Sequence, residues 1–297
     1  MDRLYKKWFW PLSLPALVLF VLVVLIPFVL GVFYSFTAWR GSYWKDADGP
    51  FGAIIGFENY QKAFSNPRFI DSFIYTAAYA LVSTLVIVTV ALTLALLLNR
   101  LRKGAGIYRT IFFMPNLLGG LALGYIWAVI FEVVFTQVIF ARNFIDIPFL
   151  RNMTQSRWPA LFALVIMTTW QSAGYMMLIF INGLNNIPTE LYEAADIDGA
   201  TFWQTFRYVT IPMLMSSFTI VFFLQLSGAF KLLDQNVALT DGNFNTRMLA
   251  MQILRTTRDT SPPDYGLAQA QAVIFFILIA TFTLTQVYIT KQREIEA

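Results

Sequence analysis

Six long stretches of apolar residues alternate with shorter polar segments along the 297-residue chain. At a rise of about 1.5 Å per residue, each stretch is long enough as a helix to cross the roughly 30 Å hydrocarbon core of a membrane. The two-residue alternation that marks a membrane β-barrel does not occur in these stretches. The pattern predicts an all-α integral membrane protein with a single domain over residues 1–297. The six transmembrane helices are expected at about 12–36, 73–98, 111–135, 160–181, 211–233 and 267–289.

The composition excludes an ordinary soluble enzyme. Hydrophobic residues make up 58% of the chain and charged residues only 13%, about half the roughly 25% of a soluble domain. The sequence contains no cysteine and no histidine, so the commonest catalytic base and the usual zinc ligands are missing. We therefore expect no catalytic residue, no metal site and no bound cofactor. The net charge of +4 is interpreted as a membrane orientation signal and not as a nucleic-acid-binding surface.

Basic residues are concentrated on one side of the predicted membrane. They precede the first span, lie between the second and third, and follow the sixth. The residues are Arg3, Lys6, Lys7, Arg100, Arg102, Lys103, Arg109, Lys291 and Arg293. Because short cytoplasmic loops carry an excess of lysine and arginine, both termini are predicted to be cytoplasmic.

The loop at residues 185–210, between spans four and five, is acidic on the side where loops are normally basic. Its acidic residues are Glu190, Glu193, Asp196 and Asp198. Ala194 and Ala195 would give a helix here a small-residue face that fits closely into a groove of a partner protein. The alternative is an ordinary solvated connector made of helix-favouring residues.

The same loop has the residue order of two short helices. Thr189 is a candidate N-cap, and Gly199 is a natural helix terminator. Thr201 and Gln204 have the spacing of a capping box that starts a second helix. Pro212 is expected to mark a kink where the chain enters span five.

Glu193, Ala194 and Ala195, followed by Gly199 and by residues 209–212, resemble the EAA motif of permeases of binding-protein-dependent ABC importers. Segments 56–60, 108–115, 183–188 and 265–266, together with Trp170, Gly174 and Phe230, extend the likeness to the carbohydrate-uptake branch, the maltose and glycerol-phosphate type. One departure is the segment 241–244, where many relatives have a Gly-Gly-Pro-like turn.

The resemblance implies a type I ABC importer permease fold with a cytoplasmic coupling helix, in a bacterial or archaeal inner membrane. Its implied partners are a second homologous permease, two cytoplasmic ABC ATPase subunits that bind the ATP, and an extracytoplasmic binding protein that delivers a sugar or oligosaccharide. The sequence has no G-x-x-x-x-G-K-[ST] phosphate loop, so ATP would be hydrolysed by the partners. The implied coupling residues are Glu190, Glu193, Ala194, Ala195, Asp196, Asp198 and Gly199.

Polar and aromatic residues within the spans are candidates for the sugar path, because unpaired polar groups are costly at membrane depth. In related permeases the spans flanking the coupling loop hold the substrate, so Gln171, Tyr175 and Gln225 are the leading candidates. The full candidate set is Asn116, Trp170, Gln171, Tyr175, Gln225 and Ser227. The alternative is that these amides and hydroxyls bond between helices for packing alone.

Two further features are expected to be structural. Gly120 and Gly124 have the spacing of a close helix crossing. Lys231 and Asp234 are expected to form an ion pair at i, i+3.

Other functions are weighed against a sugar permease. An ABC permease for a non-sugar solute is the first alternative, although an anionic cargo would call for more basic residues within the spans. A secondary transporter would carry ionisable residues deep in its helices, where only Glu132, Lys231 and Asp234 are candidates. A membrane-embedded enzyme would need a histidine, cysteine, paired aspartates or a metal cluster in the membrane.

Overall fold

A computed structural model describes residues 2–101, 103–139, 147 and 149–294. Every regular element in these ranges is a helix, apart from the isolated bridge pairs Thr37 with Ile54 and Trp39 with Trp44. The predicted all-α class is therefore confirmed. Arg102, one of the predicted orientation residues, lies outside the described residues. The chain divides into two compact units, Met1–Phe69 with Ile253–Ile277 and Ile70–Gln252 with Leu278–Ala297.

Five helices of the described chain are long and apolar enough to cross a membrane, and a sixth span results if one bent pair is counted together. The bent pair is Phe202–Met213 with Met215–Phe230, which meet at 67°. The five are Trp8–Ser35, Pro67–Asn99, Gly120–Gln137, Arg157–Asn185 and Tyr265–Lys291. The number agrees with the six predicted spans when the bent pair is one of them.

The first unit contains the N-terminal helices and the beginning of the last helix. Helix α1 is joined to α2 by a π-helical turn, Val21–Leu25, and an irregular segment then leads to α3. The helices are α1 (Asp2–Phe20), α2 (Ile26–Ser35), α3 (Glu58–Ser65), the first residues of α4 (Pro67–Asn99), the end of α13 (Leu249–Thr256) and the beginning of α14 (Tyr265–Lys291).

Buried polar contacts hold the irregular segment of the first unit. The Asn59 side-chain amide is buried and donates to the carbonyls of Ser35 and Thr37, both at 2.9 Å. Arg40 Nη1 lies 2.8 Å from Asp264 Oδ2, and the two side chains are only 16% and 13% exposed. The other oxygen of Asp264 accepts the Leu267 N–H at 3.0 Å. Asp264 thus pairs with a loop arginine and caps the first turn of α14.

We expect Asp264→Ala to destabilise the protein, because it leaves Arg40 without its partner and removes the cap. The free-energy loss should be about 2 kcal/mol, or a fall of roughly 4–8 °C in Tm, measured by thermal unfolding in detergent. Lys62→Ala is the control: it breaks the exposed Glu58–Lys62 pair at 2.7 Å, which is worth less than about 1 kcal/mol. Equal falls in Tm for the two variants would contradict the roles of Asp264 as partner of Arg40 and cap of α14.

The second unit contains the middle of the chain. The helices, besides the rest of α4, α13 and α14, are α5 (Ala105–Phe113), α6 (Gly120–Val129), α7 (Arg157–Asn185), α8 (Thr189–Ile197), α9 (Phe202–Thr205), α10 (Ile211–Met213), α11 (Met215–Phe230) and α12 (Asp234–Thr240). Shorter turns are the 3₁₀ segments Met114–Leu117 and Met153–Gln155 and the π-helical segments Ile130–Ile139 and Phe206–Thr210.

The core of the second unit is formed by α4, α7 and the chain around the beginning of α11. Its fully buried members include Ile87, Ala91, Met177, Phe180 and Leu214. Gly174 lets α7 approach α5, since a Cβ at this position would overlap the backbone carbonyl of Phe112. The end of α5 is therefore fixed against the middle of α7.

The predicted third span at about 111–135 is divided in the structure. Its first residues belong to α5 and to the 3₁₀ turn Met114–Leu117, and α6 begins only at Gly120. Pro115 lacks a backbone N–H, and Leu118 adopts an extended conformation, with ψ at 133°, so the helix cannot continue.

The return of the chain after α11 brings α12 onto α6. A Cβ on Gly124 would lie 2.5 Å from the Cβ of Ala238, and one on Gly120 would lie 2.9 Å from the Cβ of Asp234. The close crossing predicted for the two glycines is confirmed.

The predicted ion pair between Lys231 and Asp234 is wrong. Helix α11 ends at Phe230 and α12 begins at Asp234, so the two residues are not one turn apart on a common helix. No ion pair joins them within the described residues.

Candidate coupling surface and polar path

Helix α8 begins directly after a proline. Pro188 is its N-cap residue, with φ −56° and ψ 133°, and the Leu191 N–H bonds to the Pro188 carbonyl at 3.3 Å. Thr189, predicted as the N-cap, is instead the first helical residue. The extended conformation of Pro188 interrupts the helical chain after α7, and the helical conformation begins again at Thr189.

Gly199 ends α8 in a Schellman motif. The glycine has φ +70°, its N–H bonds to the carbonyl of Asp196 at 3.1 Å, and the Ala200 N–H bonds to the carbonyl of Ala195 at 2.9 Å. This pair of bonds satisfies carbonyls that the end of a helix would otherwise leave open. The predicted role of Gly199 as terminator is confirmed.

A second helix follows at once. The Thr201 N–H donates to Gln204 Oε1 at 2.7 Å, and the predicted capping box is present at the start of α9. The helical chain bends by 67° between Met213 and Met215. The kink expected at Pro212 is thus found, with its break at Leu214.

α8 exposes acidic residues together with two large apolar side chains, Leu191 and Ile197. No residue of the helix is buried, and Ile197 is 86% exposed. Ala194 is exposed, whereas Ala195 is half-buried. The exposed acidic residues are Glu190, Glu193, Asp196 and Asp198. Ala195 is therefore less accessible to a partner than Ala194.

Tyr192 packs the opposite face of α8 against the core of the second unit. Its half-buried ring packs against the core that includes Phe180 and Leu214, and its hydroxyl lies 3.3 Å from Thr210 Oγ1. Ile187, just before α8, is buried in the same core. A displacement of α8 would therefore also displace Thr210 and the segment that leads into α10 and α11.

Sequence reasoning did not identify Tyr192, Ile197 and Thr210. One signal in the loop was the spacing of Tyr192 and Ala195, which are one turn apart on a helix and so lie on a common face. Which face of the helix meets the core depends on contacts with distant residues.

Gln171 is the centre of a polar chain on α7. Its Nε2 donates to the carbonyl of Leu118 at 3.1 Å, and its Oε1 accepts from Gln235 Nε2 at 3.0 Å. Leu118 lies in the break before α6, and Gln235 lies in α12. The three groups join the break in span three to α7 and to the short helix after α11. Gln235 was not predicted as a site residue.

Among the described residues, the hydrogen bonds of Gln171 do not extend to the other predicted path residues. Trp170 is exposed, with its ring centroid 5.9 Å from that of Trp127, and the exposed Tyr175 ring lies 6.5 Å from that of Phe113. Asn116 is half-buried in the 3₁₀ turn between α5 and α6.

On α11, the Gln225 side chain is only 6% exposed, while Ser227 is half-buried. Among the hydrogen bonds of the described residues, none joins either of them to Gln171.

Glu132, one of the ionisable residues away from the span ends, lines a polar cavity of about 590 Å³. Asp241, Asn243 and Phe244 from the segment that departs from the family pattern line it too, together with Tyr125. Asp241 and Phe244 have positive φ, 48° and 56°. Within the described residues, no group of three or more His, Cys, Asp or Glu could hold a metal ion.

Comparison with known proteins gives consistent matches. A family model described as "Binding-protein-dependent transport system inner membrane component" matches residues 49–294. The chain is 40% identical over 291 residues to the probable starch degradation products transport system permease protein AmyD of Thermoanaerobacterium thermosulfurigenes, covering 97% of this chain and 96% of that one. It is 31% identical over 294 residues to the multiple sugar-binding transport system permease protein MsmF of Streptococcus mutans, covering 98% of each.

A solved structure shares the fold. It is the crystal structure of a bacterial ABC transporter involved in the import of the acidic polysaccharide alginate. The TM-score is 0.76 at 19% identity, over 98% of this chain and 99% of that one.

Proposed function

Because the chain belongs to the family of binding-protein-dependent transport system inner membrane components, we propose that it conducts a sugar or oligosaccharide across the membrane. It is a permease subunit of an ABC importer and has no ATPase domain of its own. The names of AmyD and MsmF, which refer to starch degradation products and multiple sugars, support a carbohydrate cargo.

The family works with a binding protein and with ABC partners. We propose the finer arrangement of one second homologous permease, two cytoplasmic ATPase subunits and an extracytoplasmic binding protein. The basic residues that flank the spans support cytoplasmic termini in a bacterial or archaeal inner membrane.

The coupling surface is α8, and the observation that carries this assignment is its exposed acidic face with Ile197 at its end. An unsatisfied apolar side chain that is 86% exposed beside four carboxylates is suited to an apolar pocket with a basic rim. We assign docking to Glu190, Glu193, Ala194, Asp196, Ile197 and Asp198. Ala195 is half-buried, and Gly199 sets the turn.

Tyr192 and Thr210 supply the route from docking to transport. The Tyr192 ring packs on the core and its hydroxyl lies beside Thr210, immediately before α10. When the ATPases close, a rigid α8 would carry Thr210 with it and change the 67° bend at Leu214. Bending there would move α11, which holds Gln225.

The Gln171 chain is the proposed polar element of the path. Its amides are bonded to Leu118 and Gln235 in this conformation, so they are satisfied without substrate. Sugar hydroxyls can replace such bonds when α12 moves away from α7, because amides donate and accept equally well. Gln225 is proposed as a second contact on α11.

We expect Gln171→Ala combined with Gln225→Ala to raise the KM for uptake by about fivefold or more, since each lost hydrogen bond is worth about 1 kcal/mol. Uptake of labelled maltotriose into proteoliposomes containing the complete transporter and ATP measures the effect. Gln61→Ala, an exposed position on α3, is the control and should leave the KM unchanged.

Complex assembly should be the same in all three proteins, as measured by size-exclusion chromatography. An unchanged KM in the double variant would remove both residues from the path. Failure of the unmodified transporter to take up maltotriose or any other saccharide, with uptake of a non-sugar solute, would favour the alternative cargo.

A further inference from the structure

A groove of about 520 Å³ runs along α4 beside the chain that follows α8. One wall is formed by α4 and the other by aromatic residues from α9 to α11. Leu85, Thr89, Thr93 and Arg100 line the first wall, and Phe206 and Phe222 line the second. The groove lies entirely within the second unit, and neither the coupling surface nor the polar path includes it.

The two threonine hydroxyls along the groove are already hydrogen-bonded and need no partner from an occupant. Thr93 Oγ1 donates to the carbonyl of Thr89 at 2.8 Å, and Thr89 Oγ1 donates to the carbonyl of Leu85 at 2.7 Å. With these hydroxyls bonded to their own helix, they present mainly methyl groups to the groove. An occupant of this stretch must therefore be apolar.

One end of the groove carries a basic side chain, Arg100. Arg100 follows the last residue of α4, and its guanidinium carbon lies 4.7 Å from the centroid of the Phe202 ring. Within the described residues no carboxylate forms an ion pair with Arg100. The occupant should carry a negative charge at this end only.

The dimensions match one leaflet of a bilayer. Leu85 and Arg100 are fifteen residues apart, roughly 22 Å along a helix. Half of a membrane including its headgroup region is also about 20–22 Å thick. A molecule with a charged head at Arg100 and a chain reaching Leu85 would therefore span a single leaflet.

We propose that the groove binds an anionic phospholipid, with its phosphate at Arg100 and one acyl chain along Thr93, Thr89 and Leu85. The charge at one end, the apolar walls and the length select this occupant over a second protein helix, which would have no reason to place a negative charge at Arg100. The proposal depends neither on the cargo nor on which leaflet contains the end of α4.

Native mass spectrometry of the complete transporter, purified from nanodiscs with equal amounts of phosphatidylglycerol and phosphatidylethanolamine, tests this. The unmodified complex should retain phosphatidylglycerol preferentially. Arg100→Gln should lower that retention by about fivefold, the effect of one basic residue on an anionic lipid. Thr93→Trp, which fills the groove, should lower retention of both lipids.

Two controls separate the groove from general effects. Lys103→Gln removes a neighbouring charge that does not line the groove, and Leu81→Trp adds the same bulk at an exposed position of α4 outside it. Both should retain phosphatidylglycerol like the unmodified complex. Equal retention of the two lipids, or no change with Arg100→Gln, would overturn the proposal.

A disulfide between Thr93→Cys and a cysteine in the second permease would overturn it as well, since a protein segment would then occupy the groove. The chain itself has no cysteine, so this thiol is unique in it.

Discussion

Gly199→Val should reduce coupled sugar uptake by about tenfold or more. Gly199 has φ +70°, a conformation that costs an L-residue about 1–2 kcal/mol and a β-branched residue more. No neighbouring atom lies within 4 Å of a Cβ built at this position, so the cost comes from the backbone and not from crowding. To escape it, the chain must give up the bonds from Gly199 and Ala200 to the end of α8, and α8 then loses its fixed angle to α9.

Uptake and ATP hydrolysis in proteoliposomes, measured together with the binding protein, distinguish loss of coupling from loss of the protein. In Gly199→Val, the rate of ATP hydrolysis should no longer rise when sugar-loaded binding protein is added. Gly199→Asn is the matched control, because asparagine tolerates a positive φ, and it should keep most of the uptake. Equal uptake by the two variants would show that the geometry of this turn is not needed for coupling.

Gly174→Ala should prevent assembly of the permease almost completely. A single methyl group at this position would overlap the carbonyl of Phe112, so α5 would have to separate from α7. That displacement opens the packing at the centre of the second unit; overpacking typically costs about 1–3 kcal/mol, and more where backbone atoms must separate. The break before α6 and the Gln171 bond to Leu118 follow directly after α5 and would be lost with it.

The yield of monodisperse transporter after detergent extraction measures this effect. Gly106→Ala is the control, since a Cβ there would meet no atom within 4 Å and alanine favours the helix of α5. Its yield should equal that of the unmodified protein. A normal yield for Gly174→Ala would contradict the close approach of α5 and α7.

The parts of the molecule that follow from local sequence were predictable. Long apolar runs indicate membrane helices whatever their neighbours are, and Gly199, Thr201 with Gln204, and Pro212 act within a few residues of their own positions. The helix order in the loop at 185–210 was therefore predicted, except that α8 begins at Thr189, directly after Pro188, and not one residue later.

The features that depend on distant contacts were not predictable. Pro115 and Asn116 interrupt the apolar run only briefly, so the run alone did not reveal that α5 and α6 are separate helices. Gln235 bonds to Gln171, 64 residues away, because α12 turns back onto α6 at Gly120 and Gly124. The same turn separates Lys231 from Asp234, which made the predicted ion pair wrong.

Site-specific cross-linking at Ile197 tests most directly whether α8 docks on an ATPase subunit. The chain contains no cysteine, so Ile197→Cys introduces a unique thiol into the permease, at a side chain that is 86% exposed. Tyr125→Cys on α6, where the side chain is 60% exposed, is the control. With a bifunctional thiol reagent and the complete transporter, Ile197→Cys should cross-link to the ATPase subunit, and Tyr125→Cys should not. If Ile197→Cys fails to cross-link, or both positions cross-link equally, α8 is not the docking helix.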